Sequence, residues 1–509
     1  MWIRASLIAL LASPVLAEGG APLSAIDWLS QNTPTAAAPI DVAPDEPAIA
    51  QSAAAPQVTV APLEGPAPRR VGLVPGSVTG LPDTLWSNTD GARTAARLNA
   101  LPVPRLPAAQ ALLYTVLLSE AAPPPSGDEA LVTARIDALM RMGALEPALA
   151  LIRQAGPETR PELFSRFFDA TLLTGDEAQA CALLGGPQAP DATYAARVFC
   201  AARNGDWDTA ALLMGTASAL GDVPEAEAAL LARFLDPDLF EGEPPLPLPA
   251  RPDPLAARMM EAIGTPVPTS LWPRVYANLD LRDLAGWKAQ LEAAERLAET
   301  GAIDANRLLG IVTARRPAAS GGIWDRTRAL QRLDTALRTG SAEAVQKTLP
   351  AALTAARRAR MAVPVAELFA QRVLEVSPAD TAPAFELVLL SALYEQAAGA
   401  FPRSAEAAPL AVAVARGAAA GLPEEASPTA EAVRRAFAPE APSPDPSLIE
   451  MAQGGALGPA LLETLLLLDQ GVRGDTRGLT RALVTLRALG LEDTARRAAL
   501  QVLLLEAGT

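Results

Sequence analysis

The chain has 509 residues, half of them hydrophobic and mostly Ala and Leu, with only 4% aromatics; this favours helices over strands and fills either two to four ordinary domains or one long helical array. A formal charge of −15 with no basic run argues against nucleic acid or anionic membrane as the main partner. Histidine is absent, which removes Ser-His-Asp and Cys-His nucleophiles, imidazole general bases and His-ligated metals.

Residues 1–17 read as a secretory signal peptide. Arg4 supplies the positive start, Ala5–Ala12 the short apolar core, and Val15-Leu16-Ala17 the cleavage site before Glu18. The apolar run is too short to span a bilayer, and no later segment reaches that length. The mature chain is therefore expected in the periplasm, with no transmembrane insertion after signal removal.

Residues 18–70 read as a disordered, Pro/Ala-rich linker carrying a short helical motif at 22–30. Ser24 and Asp27 have the spacing of a capping box, with Asp in place of Glu, and Leu23 and Trp28 occupy the positions of a hydrophobic staple. Leu23, Ile26, Trp28 and Leu29 then form an amphipathic docking motif on a tether. The alternatives are packing on the chain's own helices, or a remnant of processing. Gln31–Arg70 has almost no large apolar residues, so its prolines favour an extended tether that reaches on the order of 100 Å.

Residues 71–127 regain apolar character and tack the linker onto the body, with helical patterning from near Thr94 and through Pro107–Glu120. Residues 128–239 carry a repeat. Gly143, Gly175 and Gly205 recur at intervals of about 30 residues. Aligned on them, Val132, Phe164 and Tyr194 form one column and Ile136, Phe168 and Val198 a second. Ala148, Ala180 and Ala210 form a third, and Ile152, Leu184 and Met214 a fourth. Gly205 supplies the turn and Asp206 a carboxylate cap for the helix that follows. A single hairpin of this kind cannot bury its own apolar face, so hairpins must stack.

The segments MGALEPALALI, TGDEAQACALL and GDWDTAALL resemble the turn and second helix of tetratricopeptide (TPR) repeats, over Asp128–Pro224. The pattern departs from that family at the small residue of the first helix, where Ile136, Phe168 and Val198 stand. The resemblance implies an all-α fold, an α-solenoid of antiparallel TPR-like hairpins, whose concave face holds a peptide or partner protein. It implies no reaction.

Residues 240–254, FEGEPPLPLPARPDP, cannot continue a helix and read as a loop between stacked helices or a hinge between halves. Residues 255–509 read as a C-terminal helical solenoid. Patterns run over Leu255–Ile263, Leu281–Glu299, Asp304–Ala314, Trp324–Arg338, Ala342–Arg360, Val365–Val376 and Ala384–Ala398. Gly490 and Ala495 repeat the turn-to-alanine spacing near the end.

Candidate chemistry is sparse. Cys181 and Cys200, the only cysteines, read as one disulfide in an oxidising compartment, worth about 3 kcal/mol; the alternative is two buried free thiols. The loop from Arg315 and Arg316 through Gly321 and Gly322 to Arg326 sets arginines around a Gly-Gly helix start, an arrangement suited to an anion. Its plainer reading is a connection with Trp324 packed and the arginines solvated. No catalytic residues, cofactor or metal site are expected. The TPR-like hairpins and the isolated amphipathic motif together imply an exported, non-catalytic scaffold or adaptor with protein partners in the cell envelope. The rival reading is an enzyme, or accessory subunit, acting on peptidoglycan or polysaccharide, which would need two convergent carboxylates in a cleft.

Overall fold

Gly143, Gly175 and Gly205 take left-handed φ values of +86°, +87° and +81°, and each joins two packed helices. The structure, a computed structural model, describes residues 70–186, 189–249 and 251–505. All of these belong to one unit, Pro66–Thr509. The signal-peptide reading, the linker up to residue 69 and the motif Leu23, Ile26, Trp28 and Leu29 lie outside the described residues.

The helix pairs are Asp128–Met142 with Leu145–Ala155, Pro161–Thr174 with Glu177–Leu184, and Tyr194–Arg203 with Trp207–Leu220. Their aligned columns turn inward, with only Tyr194, Leu184 and Met214 partly exposed. Ile136 and Val198 are fully buried, as are Ala148, Ala180 and Ala210. Each large aliphatic side chain buried this way contributes about 2 kcal/mol, while the alanines let the paired helix approach. Asp206 accepts from the Thr209 amide at 3.1 Å and so caps the third pair's second helix. A further pair, Thr476–Ala488 and Glu492–Leu505, turns at Gly490 (φ +81°) with Ala495 buried. The described residues are helical throughout, apart from loops and isolated bridges such as Val71 with Ala121.

The helices do more than stack on their sequence neighbours. Gly91–Ala100 and Pro107–Leu118 pack against Leu457–Val472, and the latter of the two also against Glu492–Leu505. Trp86 is buried against Gly458, where a Cβ would lie 2.1 Å from the indole. The Ala108 amide donates to Gln501 Oε1 at 2.9 Å, and Arg97 pairs with Glu463 at 2.8 Å. Residues 274–300 cover the first two turns. Thr300 Oγ1 donates to Met142 O at 2.7 Å, and Asn278 Nδ2 donates to Gly143 O at 3.0 Å. Arg282 lies over Gly175.

Two helices differ from the sequence pattern. The one expected from Leu281 begins at Trp287. Arg282 Nε donates back to Leu279 O and Gln290 Nε2 to Arg282 O, which holds residues 281–286 as a turn. The one expected over Ala384–Ala398 ends at Leu389. There Ser391 Oγ donates to Val388 O at 2.8 Å and accepts from the Leu393 amide at 3.0 Å. A side chain that supplies its own local partners competes with the helix ladder. No helix among the described residues is long and apolar enough to cross a membrane.

Candidate functional site

Two surfaces stand out. The first contains part of the arginine loop. Between Arg315 and Arg360 stand ten basic residues and three acidic ones, in a chain of net charge −15. Gly321 (φ +90°) and Gly322 (φ +52°) form the bend ahead of the helix Gly322–Arg338, which packs on Ala342–Arg358. Arg326, however, is committed. Its guanidinium grips Glu295 through two bonds, at 3.0 and 2.6 Å, which raises its pKa further. It anchors the helix and is not free to meet an anion. Trp324 packs against Trp287 at 5.4 Å between ring centres.

Arg316 instead faces a groove between the two helices. One cavity of about 550 Å³ is lined by Arg316, Arg328, Gln331, Arg332 and Thr335, with Thr348 from the facing helix. A second, of about 470 Å³, shares Arg328, Arg332 and Thr348 and adds Lys347 and Asp325. Arg328 is tied to Asp325 at 3.2 Å and to Ala319 O at 2.7 Å. Arg315, Arg316, Arg332 and Lys347 have no carboxylate within 4.0 Å among the described residues. Thus Arg316 joins cations that the sequence places well away from it, while Arg315 is exposed at the rim and Arg326 is withdrawn. A charge count over windows of about three helical turns would have shown the bias; single motifs could not.

The second surface is the helix Trp207–Leu220, WDTAALLMGTASAL, in which Asp208 is the one charged residue. Only Ala210 and Ala217 are fully buried. Its outer face, Ala211, Leu212, Gly215 and Ala219, is exposed, with Trp207 at one end and Leu220 at the other. Leu212 is 71% exposed and Trp207 53%. No atom lies within 4 Å of where a Cβ on Gly205 would stand, so this turn, unlike the first two, is uncovered. Asp208 stands at the N-terminal end of this same exposed face, and Asp206 and Asp222 are exposed just beyond the two ends of the helix.

The carboxylates best placed for acid–base chemistry are Asp169 and Asp253. Burial, then the Asp253 charge, pushes the Asp169 carboxyl up to about 7, with Arg166 acting in the opposite sense. Burial also raises Asp253, while bonds from the Leu255 and Ala256 amides oppose the shift. Asp253 caps the helix Pro254–Ala262, accepting from Leu255 N at 3.0 Å, and neither carboxylate lines any of the cavities described here. Among the described residues no three His, Cys, Asp or Glu side chains converge to hold a metal ion.

Cys181, in the second helix of one pair, is bonded to Cys200, in the first helix of the next, with Cα atoms 5.1 Å apart. The bond fixes one pair to the next beside the exposed helix. No protein-family model, no curated protein and no solved structure matches this chain.

Proposed function

We propose that the chain is an exported, periplasmic scaffold or adaptor, a TPR-like α-solenoid that brings proteins of the cell envelope together and catalyses no reaction. The observation that carries this is the helix Trp207–Leu220. Its inner side is packed, through Ala210 and Ala217, while Trp207, Leu212 and Leu220 stand bare on its outside. Bare apolar surface of this kind marks an interaction site. The acidic side chains of Asp206, Asp208 and Asp222 select a partner protein with an apolar face bordered by Lys or Arg. The bond between Cys181 and Cys200 fits a chain that folds in an oxidising compartment. The tethered motif Leu23, Ile26, Trp28 and Leu29 supplies a second, independent contact. An adaptor needs two such contacts.

The test is proximity labelling in living cells, with the labelling enzyme fused after Thr509. Enrichment of one envelope complex, lost when Leu23, Ile26, Trp28 and Leu29 are all changed to Ala, supports the adaptor reading. Labelling confined to cytoplasmic proteins contradicts export, and release of soluble fragments from peptidoglycan by the purified protein contradicts the non-catalytic role.

A further inference from the structure

The groove between Gly322–Arg338 and Ala342–Arg358 has a polar inventory more specific than its charge. Its cations are Arg316, Arg328, Arg332 and Lys347, against one carboxylate, Asp325, which is paired with Arg328. Its hydroxyls bond back to carbonyls of their own helices. Thr335 Oγ1 donates to Gln331 O at 2.8 Å, Thr339 Oγ1 to Ala336 O at 2.9 Å, and Thr348 Oγ1 to Ala344 O at 2.8 Å. While it keeps that bond, each hydroxyl oxygen can still accept through its free lone pairs. Gln331 behaves the same way, because its Nε2 donates to Val312 O and to Arg315 O, both at 2.7 Å. Its Oε1 then remains as an acceptor.

The groove therefore asks for two things at once: negative charge for the cations, and N–H donors for the acceptors. Polyphosphate and other phosphate chains bring charge but only acceptor oxygens, and so leave Gln331 Oε1 without a donor and bring none to the Asp325 carboxylate. The cavities contain no aromatic side chain on which a base or sugar ring would stack. A peptide brings both features, with backbone N–H groups along its length and carboxylates on its side chains. Small apolar residues, Ala329, Ala336, Ala344 and Ala351, line the same cavities and leave room for a main chain. The two cavities share three residues, so the ligand runs along the groove rather than filling one pocket.

We infer that this groove binds an extended acidic peptide segment of a partner protein, its carboxylates on Arg316, Arg332 and Lys347 and its amides on the threonine and glutamine oxygens. From the adaptor reading this takes only that the ligand is a protein; the site is separate from the apolar helix, and the two are tested apart.

The experiment is fluorescence anisotropy with the full-length protein and a short fluorescein-labelled peptide of alternating Glu and Ala. A Gln–Ala peptide of the same length and linear polyphosphate serve as competitors. The acidic peptide should bind, weaken as salt rises, be displaced by unlabelled Glu–Ala peptide and resist both competitors. Arg332→Gln together with Lys347→Gln, both exposed and therefore harmless to folding by circular dichroism, should weaken it about tenfold. Absence of binding to the acidic peptide, or affinity unchanged in the double variant, would overturn the assignment. Tighter binding of polyphosphate than of peptide would overturn the peptide in favour of a phosphate ligand. A loss of partner at the Trp207–Leu220 face leaves this titration unaffected, so the two failures are distinguishable.

Discussion

Arg135 is fully buried and spends its guanidinium on three carbonyl oxygens: Leu117 O at 2.9 Å, Val71 O at 2.9 Å and Ser119 O at 3.0 Å. Burial lowers its pKa to about 10, against the pull of Asp128, and it remains charged at neutral pH. One side chain thereby ties the entering strand of chain and the end of Pro107–Leu118 to the first repeat helix. Replacement by Ala leaves three buried acceptors without donors, and we expect a loss of about 3 kcal/mol in urea unfolding. Asp169 works in the opposite sense. Its folded carboxyl is raised to about 7, so the unfolded chain gives up this proton first as pH rises. The fold holds its full share of this stability below the ordinary carboxylate range and has lost it once pH passes about 7. Asp169→Asn should therefore raise the melting temperature at pH 8, with the gain shrinking toward pH 4; a gain that does not change with pH would contradict the assignment.

At the scale of elements, the turn glycines separate two costs. Gly205 has a left-handed φ and open space around it, whereas Gly143 has the same φ with Leu297 Cδ2 2.5 Å from a built Cβ. Gly205→Ala should cost about 1 kcal/mol from backbone strain alone. Gly143→Ala should cost about 1 to 3 kcal/mol more, because the turn must move away from the helix that covers it. Equal losses on thermal unfolding would mean that residues 274–300 do not press on the first turn. These turns were legible in the sequence because they are local: a glycine and apolar residues at helical spacing, joined after Gly205 by the capping Asp206, all lie within one stretch of chain. The break after Leu389 was not, since Ser391 is one serine among many until its own bonds are seen. The groove was half legible. Arg315 and Arg316 drew attention by standing together, yet the cations that matter beside Arg316 are Arg332 and Lys347, one on each of two helices. Arg326 looked available and is held by Glu295, a residue on a preceding helix.

At the scale of the whole molecule, what escaped the sequence is long-range. Trp86 finds Gly458, Arg97 finds Glu463, and the Ala108 amide finds Gln501; nothing local to either partner announces the other. Those contacts matter to function because they use up the faces of the first and last helices. The third repeat pair, fastened by Cys181–Cys200 to its neighbour, keeps its outer helix bare. The central claim is that this bare helix is a protein-binding face. The most direct measurement places a photo-crosslinking amino acid at Leu212 in living cells, with Leu284, 79% exposed but far along the chain, as the control position. We predict a discrete protein adduct at Leu212, none at Leu284, and loss of the adduct when Trp207→Glu is added. Irradiation at Leu212 that yields no adduct, or the same adducts as Leu284, would contradict the account.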